Sequence, residues 1–103
     1  LWLAPQQAII LPISEKYQAY AEKVLSLLKK SDIRAEIDDR NEKTGKKIRD
    51  AEMKRIPFML IVGEKEENEE SVSVRKQGEG DLGSFTVRQF AGMIDKEIEK
   101  LMN

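Results

Sequence analysis

The chain has 103 residues, of which 40% are hydrophobic and 36% are charged, a composition typical of one soluble globular domain. It contains neither cysteine nor histidine, which excludes a disulfide framework, a thiolate metal site and the commonest general base. No apolar run approaches the ~20 residues of a membrane span, so we expect no membrane partner. The opening LWLAPQQ carries no signal-peptide pattern and lacks an initiator methionine. We therefore expect a piece of a longer protein, although processing of a small protein explains this start equally well.

The first part of the chain predicts a strand, a helix and a second strand. Residues 7–13, QAIILPI, form an isoleucine-rich run that is too short for a helix and typical of a buried strand. Ser14 can cap the helix that follows, in which apolar side chains recur at helical spacing. These side chains are Tyr17, Ala21, Val24, Leu25 and Leu28. Apolar and polar residues then alternate over residues 33–38, which indicates a half-buried edge strand.

A second helix and a third strand are predicted in the middle of the chain. Asn41 or Thr44 can cap a helix that lasts to about Arg55. Residues 56–63, IPFMLIVG, give the strongest strand pattern in the sequence. Pro57 belongs at the first position of that strand because proline cannot donate a hydrogen bond to the ladder.

The segment after this strand is predicted to contain loops and one returning strand. Residues 64–70, EKEENEE, lack a periodic apolar face, so we predict a loop. Residues 71–76, SVSVRK, alternate and indicate an antiparallel strand. Residues 77–84 are rich in turn formers, with room for a short extra strand near Gly83.

The last helix carries a complete set of start signals. Thr86 and Gln89 form a capping box, and Phe85 and Phe90 stand at the hydrophobic-staple positions. The predicted buried side chains of this helix are Phe90, Ile94, Ile98 and Leu101. At the other end of the chain, Trp2 is expected to pack at a domain junction rather than stack on a base.

The element order β-α-β-α-β-β-α predicts one domain with parallel neighbouring strands joined by right-handed crossovers. We expect a three-layer α/β/α fold with a mixed sheet of four or five strands. The segment GEGDLG fits the dinucleotide pattern G-x-G-x-x-G at Gly78, Gly80 and Gly83. Its context does not fit, because no second strand ending in an acidic residue follows. We interpret it as a hairpin turn followed by an irregular approach to the last helix.

Charge is strongly segregated although the net charge is −1. Ten of the fifteen residues in 38–52, DDRNEKTGKKIRDAE, are charged, and residues 64–70 contain five glutamates and one lysine. Both segments follow the carboxyl ends of predicted strands, where α/β domains bind ligands, so we expect them to share one edge of the sheet. A focused basic patch at the entry to a helix suits phosphates.

The mixture of acidic and basic residues at this edge suggests recognition of bases as well as phosphates. Guanine offers two adjacent donors, N1–H and N2–H₂, that a carboxylate can accept, and an asparagine can donate and accept at a pyrimidine edge. Sequence-specific RNA recognition works on such splayed single-stranded bases. The alternative from composition alone is a solvated helix entry with i,i+4 ion pairs.

The motifs WLAPQQ, LPIS, DDRNEKTGKKIRDAEMKRIPFMLIVGEKE, VSVR and GDLGSFT resemble the C-terminal anticodon-binding domain of threonyl-tRNA synthetase. They stand in the order and spacing of that family and cover essentially the whole chain. Related class II synthetases for proline, glycine and histidine share the fold. The resemblance implies that residues 1–103 form one anticodon-binding domain, a fragment of a longer chain. It also implies binding of the anticodon loop of threonine tRNA, whose second and third anticodon bases are G and U.

The resemblance also implies a set of RNA-binding residues. Glu66 matches a guanine-recognising carboxylate, and Arg75 matches an arginine that contacts the anticodon bases. Asn41 and Lys43 match positions at the third base and the nearby backbone, and Arg49 and Arg55 match basic positions beside the loop. A supporting basic patch is expected at Arg40, Lys46 and Lys47. Without the resemblance, a cross-strand salt bridge from Arg75 to a glutamate is the better interpretation. The sequence KQGEG after Arg75 departs from many relatives, which continue with basic residues.

No catalytic residue is identifiable in this chain. The resemblance implies that the parent enzyme, a threonine–tRNA ligase, uses ATP, magnesium and zinc in domains absent here, and that this domain holds no cofactor. It implies a cytoplasmic protein with a homodimeric parent, whereas we expect the isolated domain to be a monomer. The alternative is a free-standing module of the same fold that binds protein or assists a nucleic-acid enzyme. A small nucleotide-binding enzyme is disfavoured by the missing phosphate loop.

Overall fold

The computed structural model describes residues 7–102, with side chains described for residues 7–96. In this part of the chain the strands are β1 (Ala8–Pro12), β2 (Ala35–Ile37), β3 (Phe58–Val62), β4 (Ser71–Lys76) and β5 (Gly80–Thr86). The helices are α1 (Gln18–Lys30), α2 (Thr44–Met53), α3 (Glu64–Glu69) and α4 (Val87–Met102), and a 3-10 turn, Glu15–Tyr17, leads into α1. The predictions for Trp2 and for the side chains of Ile98 and Leu101 lie outside what the structure describes.

The described strands form one mixed sheet in the order β2–β1–β3–β4–β5. β1 is parallel to both of its neighbours, whereas β4 is antiparallel to β3 and to β5. The predicted mixed sheet and the edge position of β2 are confirmed. The sequence around Gly83 forms a full strand of seven residues rather than a short one, and the predicted irregularity before α4 is present as a shift of register between Asp81 and Gly83.

Helices cover both faces of the sheet, which confirms the predicted three layers. On one face α1 and α4 pack over the main core, where the rings of Phe58 and Phe90 meet edge to face with centroids 5.4 Å apart. On the other face Ala51 of α2 packs against Leu11 and Met59. Successive right-handed crossovers place α1 and α2 on opposite faces. Because α2 lies over β1 rather than over β4 and β5, Ser73 and Arg75 of β4 are half-buried on that face and β5 is largely exposed.

The predicted capping box of α4 is confirmed, whereas Ser14 caps the 3-10 turn before α1 and not α1 itself. Thr86 Oγ1 accepts from the backbone N–H of Gln89 at 3.1 Å, and Gln89 Oε1 accepts from the N–H of Thr86 at 2.9 Å, which is the predicted capping box. Ser14 Oγ accepts from the N–H of Lys16 at 3.3 Å, so it caps the turn that leads into α1. Gly78 and Gly80 adopt φ of 84° and 85° around the β4–β5 turn, as the hairpin interpretation requires.

The predicted start of α2 is wrong. Lys43, not Asn41 or Thr44, occupies the N-cap position, and no side-chain hydrogen bond caps it. The carbonyl oxygen of Lys43 accepts from the N–H groups of Lys46 and Lys47, which closes the first turn without a side-chain cap. The helix ends at Met53, before Arg55, which adopts a left-handed φ of 58°.

The predicted loop at residues 64–70 is also wrong, because residues Glu64–Glu69 form the short helix α3. None of the residues of α3 is buried, so a periodic apolar face is absent even though the backbone is helical. Acidic side chains fill its first turn, where they interact favourably with the positive end of the helix dipole. Glu70 ends the helix in the left-handed region with φ 53°.

Candidate nucleic-acid interface

The carboxyl ends of three parallel strands meet at one edge of the sheet, which we call the rim. The rim consists of Ile13 and Ser14 after β1, residues 38–43 after β2, and Gly63 with α3 after β3. The two charged segments of the sequence therefore lie at the same edge, as predicted, with the end of β1 between them. In open α/β sheets this edge is the usual position of ligands.

The loop after β2 is held by a network around Asp38. Arg40 donates to both carboxylate oxygens of Asp38, from Nε at 2.9 Å and from Nη2 at 2.8 Å, and also to Asp50 of α2 at 3.0 Å. The hydrogen bond from Arg40 holds the pKa of Asp38 below its ordinary value, and the same contact raises the pKa of Arg40. The guanidinium of Arg40 is thus partly used inside the domain, and its Nη1 donors are left for an external ligand.

Lys47 does not belong to the exposed basic patch in which it was predicted. Its residue surface is 4% exposed, and Nζ donates to the carbonyl oxygens of Asp38 at 3.0 Å and Pro12 at 3.4 Å. Lys47 therefore joins α2 to the ends of β1 and β2. Lys46, the next residue, is exposed and forms an i,i+4 ion pair with Glu42 at 3.4 Å, so it stays on the surface as predicted.

Asn41 and Lys43 are exposed at the tip of the rim. Lys43 makes no ion pair with any described residue. Beside them an open groove of about 730 Å³ separates the segments that follow β1 and β2, with Ser14, Lys16 and Asn41 in its lining. No side chain caps the start of α2 next to this segment, and an uncapped helix start is suited to a phosphate.

Glu66 lies on α3, and its side chain turns back toward the sheet. Its Oε2 accepts a hydrogen bond from Ser73 Oγ of β4 at 3.0 Å. Val72 and Val74 point into the core under α1 and α4, so Ser73 and Arg75 share the opposite face of β4. The carboxylate of Glu66 is therefore anchored on the face of the sheet that carries Arg75.

Arg75 lies further from the rim, opposite Met59 of β3. Its side chain is half-buried, and Nε is buried with no hydrogen-bond partner among the described residues. No ion pair joins Arg75 to a carboxylate in the described part of the chain, so the predicted alternative of a cross-strand salt bridge is not observed. Its guanidinium is available to a ligand on this open face.

The two remaining basic positions are separated from the rim. Arg49 is exposed on α2, and Arg55 is exposed in the connection between α2 and β3. Because α2 runs back from the carboxyl end of β2 to the amino end of β3, Arg55 lies at the opposite end of the sheet. The structure thus brings Asn41, Lys43 and Glu66 together at the rim, sets Arg75 on the adjoining face, and leaves Arg55 apart.

Sequence reasoning missed the residues that hold the predicted ones in place. Ser73 anchors Glu66, and Asp38 with Asp50 anchors Arg40. The alternation of SVSVR already places Ser73 on the same face as Arg75. Its contact with Glu66 was not foreseeable, because residues 64–70 were predicted to be a loop. The spacing of Lys47 and Ala51, four residues apart on the buried side of α2, was a signal that Lys47 points inward.

Comparison with known proteins identifies the family of this chain. Residues 7–97 match the family described as anticodon binding domain. The chain is 58% identical to the threonine–tRNA ligase of Bacteroides fragilis and 55% identical to that of Porphyromonas gingivalis, in each case over all of this chain and 16% of the relative. The chain therefore spans a small part of the length of these curated relatives.

Comparison with solved structures finds aminoacyl-tRNA synthetases as well. The RNA binding domain of threonyl-tRNA synthetase from Cryptosporidium parvum Iowa II superposes with a TM-score of 0.86 at 30% identity, covering 92% of this chain and 24% of that one. Histidyl-tRNA synthetase from Nostoc sp. PCC 7120 has a TM-score of 0.84 at 18% identity, over 92% of this chain and 23% of that one, which shows a shared fold. The family resemblance of the sequence motifs is confirmed: the chain belongs to the anticodon-binding domain family.

Proposed function

We propose that this chain is the anticodon-recognising domain of a threonine–tRNA ligase and binds the anticodon loop of threonine tRNA. The support is membership of the anticodon-binding domain family and 55–58% identity to threonine–tRNA ligases along the whole chain. In this proposal the second anticodon base is guanine and the third is uracil. The domain contributes specific binding, and the joining of threonine to tRNA takes place elsewhere in a longer protein.

The observation that carries the proposal is the placement of Glu66 above the sheet face that holds Arg75. Ser73 anchors one carboxylate oxygen of Glu66 at 3.0 Å, which leaves several lone pairs free to accept hydrogen bonds. A guanine base lying on this face presents N1–H and N2–H₂ to that carboxylate. The planar guanidinium of Arg75 can stack on a base or donate to its acceptors.

The rest of the rim supplies the third base and the RNA backbone. The amide of Asn41 can donate and accept together, which matches the edge of uracil. Lys43 and Lys46 lie beside the uncapped start of α2, where phosphates are favoured. We assign Arg49 to the backbone along α2, and we assign Arg55 and the free donors of Arg40 to peripheral electrostatic contacts. Lys47 is not assigned to RNA because its ammonium is bonded inside the domain.

We infer that ATP, magnesium and zinc belong to other parts of the parent ligase. The chain contains neither histidine nor cysteine, the usual ligands of protein zinc sites, and so does not fit such a site. Within the described residues, no group of three acidic side chains is arranged to hold a metal ion.

We also propose that the parent enzyme is a cytoplasmic homodimer and that this domain alone is monomeric. The structural basis for the monomer is that α1, α2 and α4 all direct apolar side chains into the core of the domain. In the described part of the chain, no helix combines the length and apolar character that crossing a bilayer would require.

The test is a binding titration of this chain with two anticodon stem-loops at low salt, because much of the affinity is electrostatic. One loop carries the threonine bases G and U at the second and third positions, and the other has that G changed to A. We expect preference for the G loop, and we expect Glu66→Gln to remove it, with a loss of about tenfold or more for a bidentate contact. Equal binding of both loops by the unaltered chain would contradict base recognition. Binding of neither loop would favour the free-standing interaction module.

A further inference from the structure

We propose that Ser73 is a positioning residue for Glu66 and sets how strongly the domain prefers guanine at the second anticodon base. This inference rests on the proposed function, because it concerns the same carboxylate. Ser73 itself need not touch the RNA. It acts through its hydroxyl hydrogen, which it donates to Oε2 of Glu66 at 3.0 Å.

The two residues belong to elements of very different stability. Ser73 lies on β4, which is paired on both sides, with Ile61 of β3 and Ser84 of β5. Glu66 lies on a six-residue helix without a buried side chain. A helix this short is marginal without tertiary contacts. The hydrogen bond therefore fixes a side chain of a weak helix to the rigid middle of the sheet.

Gly63 lies next to Oε1, the other oxygen of the same carboxylate. A Cβ at Gly63 would lie 3.3 Å from Oε1 of Glu66 and 2.7 Å from Cδ1 of Ile13. A side chain at this position would therefore crowd Oε1 of Glu66 and require Ile13 to shift. Glu66 is thus bonded at Oε2 to Ser73 and lies close to Gly63 at Oε1.

This arrangement makes the carboxylate a better acceptor for guanine. A glutamate loses side-chain rotamer freedom when it binds a ligand, and part of that loss has already occurred here. Adenine offers no matching pair of donors, so the benefit is confined to guanine.

Ser71 provides the internal comparison. It lies two residues before Ser73 on the same face of β4, but its Oγ is buried with no hydrogen-bond partner among the described residues. Removal of the Ser71 hydroxyl tests the effect of a serine-to-alanine change in this strand. Removal of the Ser73 hydroxyl tests that effect together with the contact to Glu66.

The experiment measures binding of the G loop and the A loop by this chain and by Ser73→Ala, Ser73→Thr and Ser71→Ala. We expect Ser73→Ala to weaken the G loop about three- to tenfold, the range for loss of one hydrogen bond, with the A loop unchanged. Ser73→Thr keeps the hydroxyl on a residue suited to strands and should retain the preference. Ser71→Ala should leave both affinities unchanged. The thermal unfolding midpoint of each variant identifies losses that come from misfolding.

A double-mutant cycle separates this inference from the proposed function. If Ser73 acts through Glu66, Ser73→Ala should have no further effect in the Glu66→Gln background. Loss of guanine preference in Glu66→Gln but not in Ser73→Ala would overturn the positioning role and leave the proposed function standing. Unchanged preference in Glu66→Gln would overturn the proposed function itself. Equal weakening of both loops by Ser73→Ala would assign Ser73 a general structural role and overturn the inference.

Discussion

Arg40 and Asp38 form a two-point ion pair, with Nε and Nη2 of the arginine at 2.9 and 2.8 Å from the two carboxylate oxygens. Nη2 also reaches Asp50 on α2 at 3.0 Å, so the loop after β2 is tied to the helix that follows it. This ion pair orders the segment that presents Asn41 and Lys43. Charged residues of segment 38–52 therefore also hold the domain itself together.

The first prediction concerns the pH dependence of stability. Arg40 lowers the pKa of Asp38 in the folded state from its ordinary 3.8, so its contribution is present above pH 3.8 and is lost as the pH falls through the lowered folded pKa. We expect Asp38→Asn to reduce stability by about 1 kcal/mol at neutral pH and to flatten the acid limb of the stability curve. Urea unfolding across pH 2–7 measures both effects, with Asp39→Asn, a change at the exposed neighbour, as the control. A pH profile identical to that of the unaltered chain would contradict the role of Asp38.

The second prediction contrasts two adjacent lysines. Lys47→Ala removes the donor to two backbone carbonyls and opens a cavity under α2, so we expect a loss of about 2–4 kcal/mol in the free energy of unfolding. Lys46→Ala removes an exposed ion pair and should change it by less than about 0.5 kcal/mol. Chemical denaturation of both variants makes the comparison. Similar losses at the two positions would argue against the internal role of Lys47.

The third prediction concerns the lysine at the tip of the rim. Lys43→Ala should weaken the G and A loops equally, because a phosphate contact carries no base information. The slope of log affinity against log salt concentration should fall by about 0.7, the value for one phosphate contact on a single strand. Titrations at four or five salt concentrations give this slope. A change in the ratio of the two affinities would instead place Lys43 at a base.

The fourth prediction concerns the steric fit at the end of β3. Gly63→Ala places a methyl group 2.7 Å from Cδ1 of Ile13 and close to Glu66, so we expect about 1 kcal/mol of destabilisation and a weaker preference for the G loop. Ile13 is 48% exposed and can be shortened with little loss of core packing. Ile13→Ala should therefore relieve the destabilisation of Gly63→Ala when the two are combined. Additive losses in the double variant would show that the clash lies elsewhere.

The fifth prediction concerns the buried hydroxyl of Tyr20, which lies on the α1 side of the sheet. Tyr20 donates to the carbonyl oxygen of Ser71 at 2.6 Å, and burial raises its pKa to about 12. Because the folded pKa is raised above the ordinary 10.0, stability from Tyr20 is complete below pH 10 and is lost as the pH rises toward 12. Tyr20→Phe should cost about 1 kcal/mol at neutral pH and remove part of the alkaline loss. Tyr17→Phe is the matched control, since the Tyr17 hydroxyl has no hydrogen bond to a described residue.

The sequence alone predicts those parts of the fold in which burial produces a regular pattern of apolar residues. Residues 7–13 and 56–63 are apolar because β1 and β3 lie in the middle of the sheet, and the capping box at Thr86 is a local hydrogen-bond pattern. α3 was not predictable in this way. Its six residues bury nothing, so periodicity carries no information about them, and its stability comes from the acidic first turn and from contacts with β4.

The predicted site was likewise predictable in part. Its residue types and their positions after the strands were accessible from the sequence, and the rim does bring Asn41, Lys43 and Glu66 to one edge. The direction of each side chain was not accessible. A lysine in a charged run can point inward, as Lys47 does, when carbonyl oxygens of neighbouring strand ends are in reach. Such contacts depend on tertiary structure, and the sequence carries only the four-residue spacing of Lys47 and Ala51 as a local sign of the inward direction.

The edges of the sheet have a consequence for self-association. β2 has three residues, and β5 carries a bulge in which Leu82 has no partner between the pairs Val74–Gly83 and Arg75–Asp81. A short edge and a bulged edge are poor templates for the addition of a strand from another molecule. We therefore expect this domain to resist edge-to-edge aggregation at the high concentrations that binding titrations require.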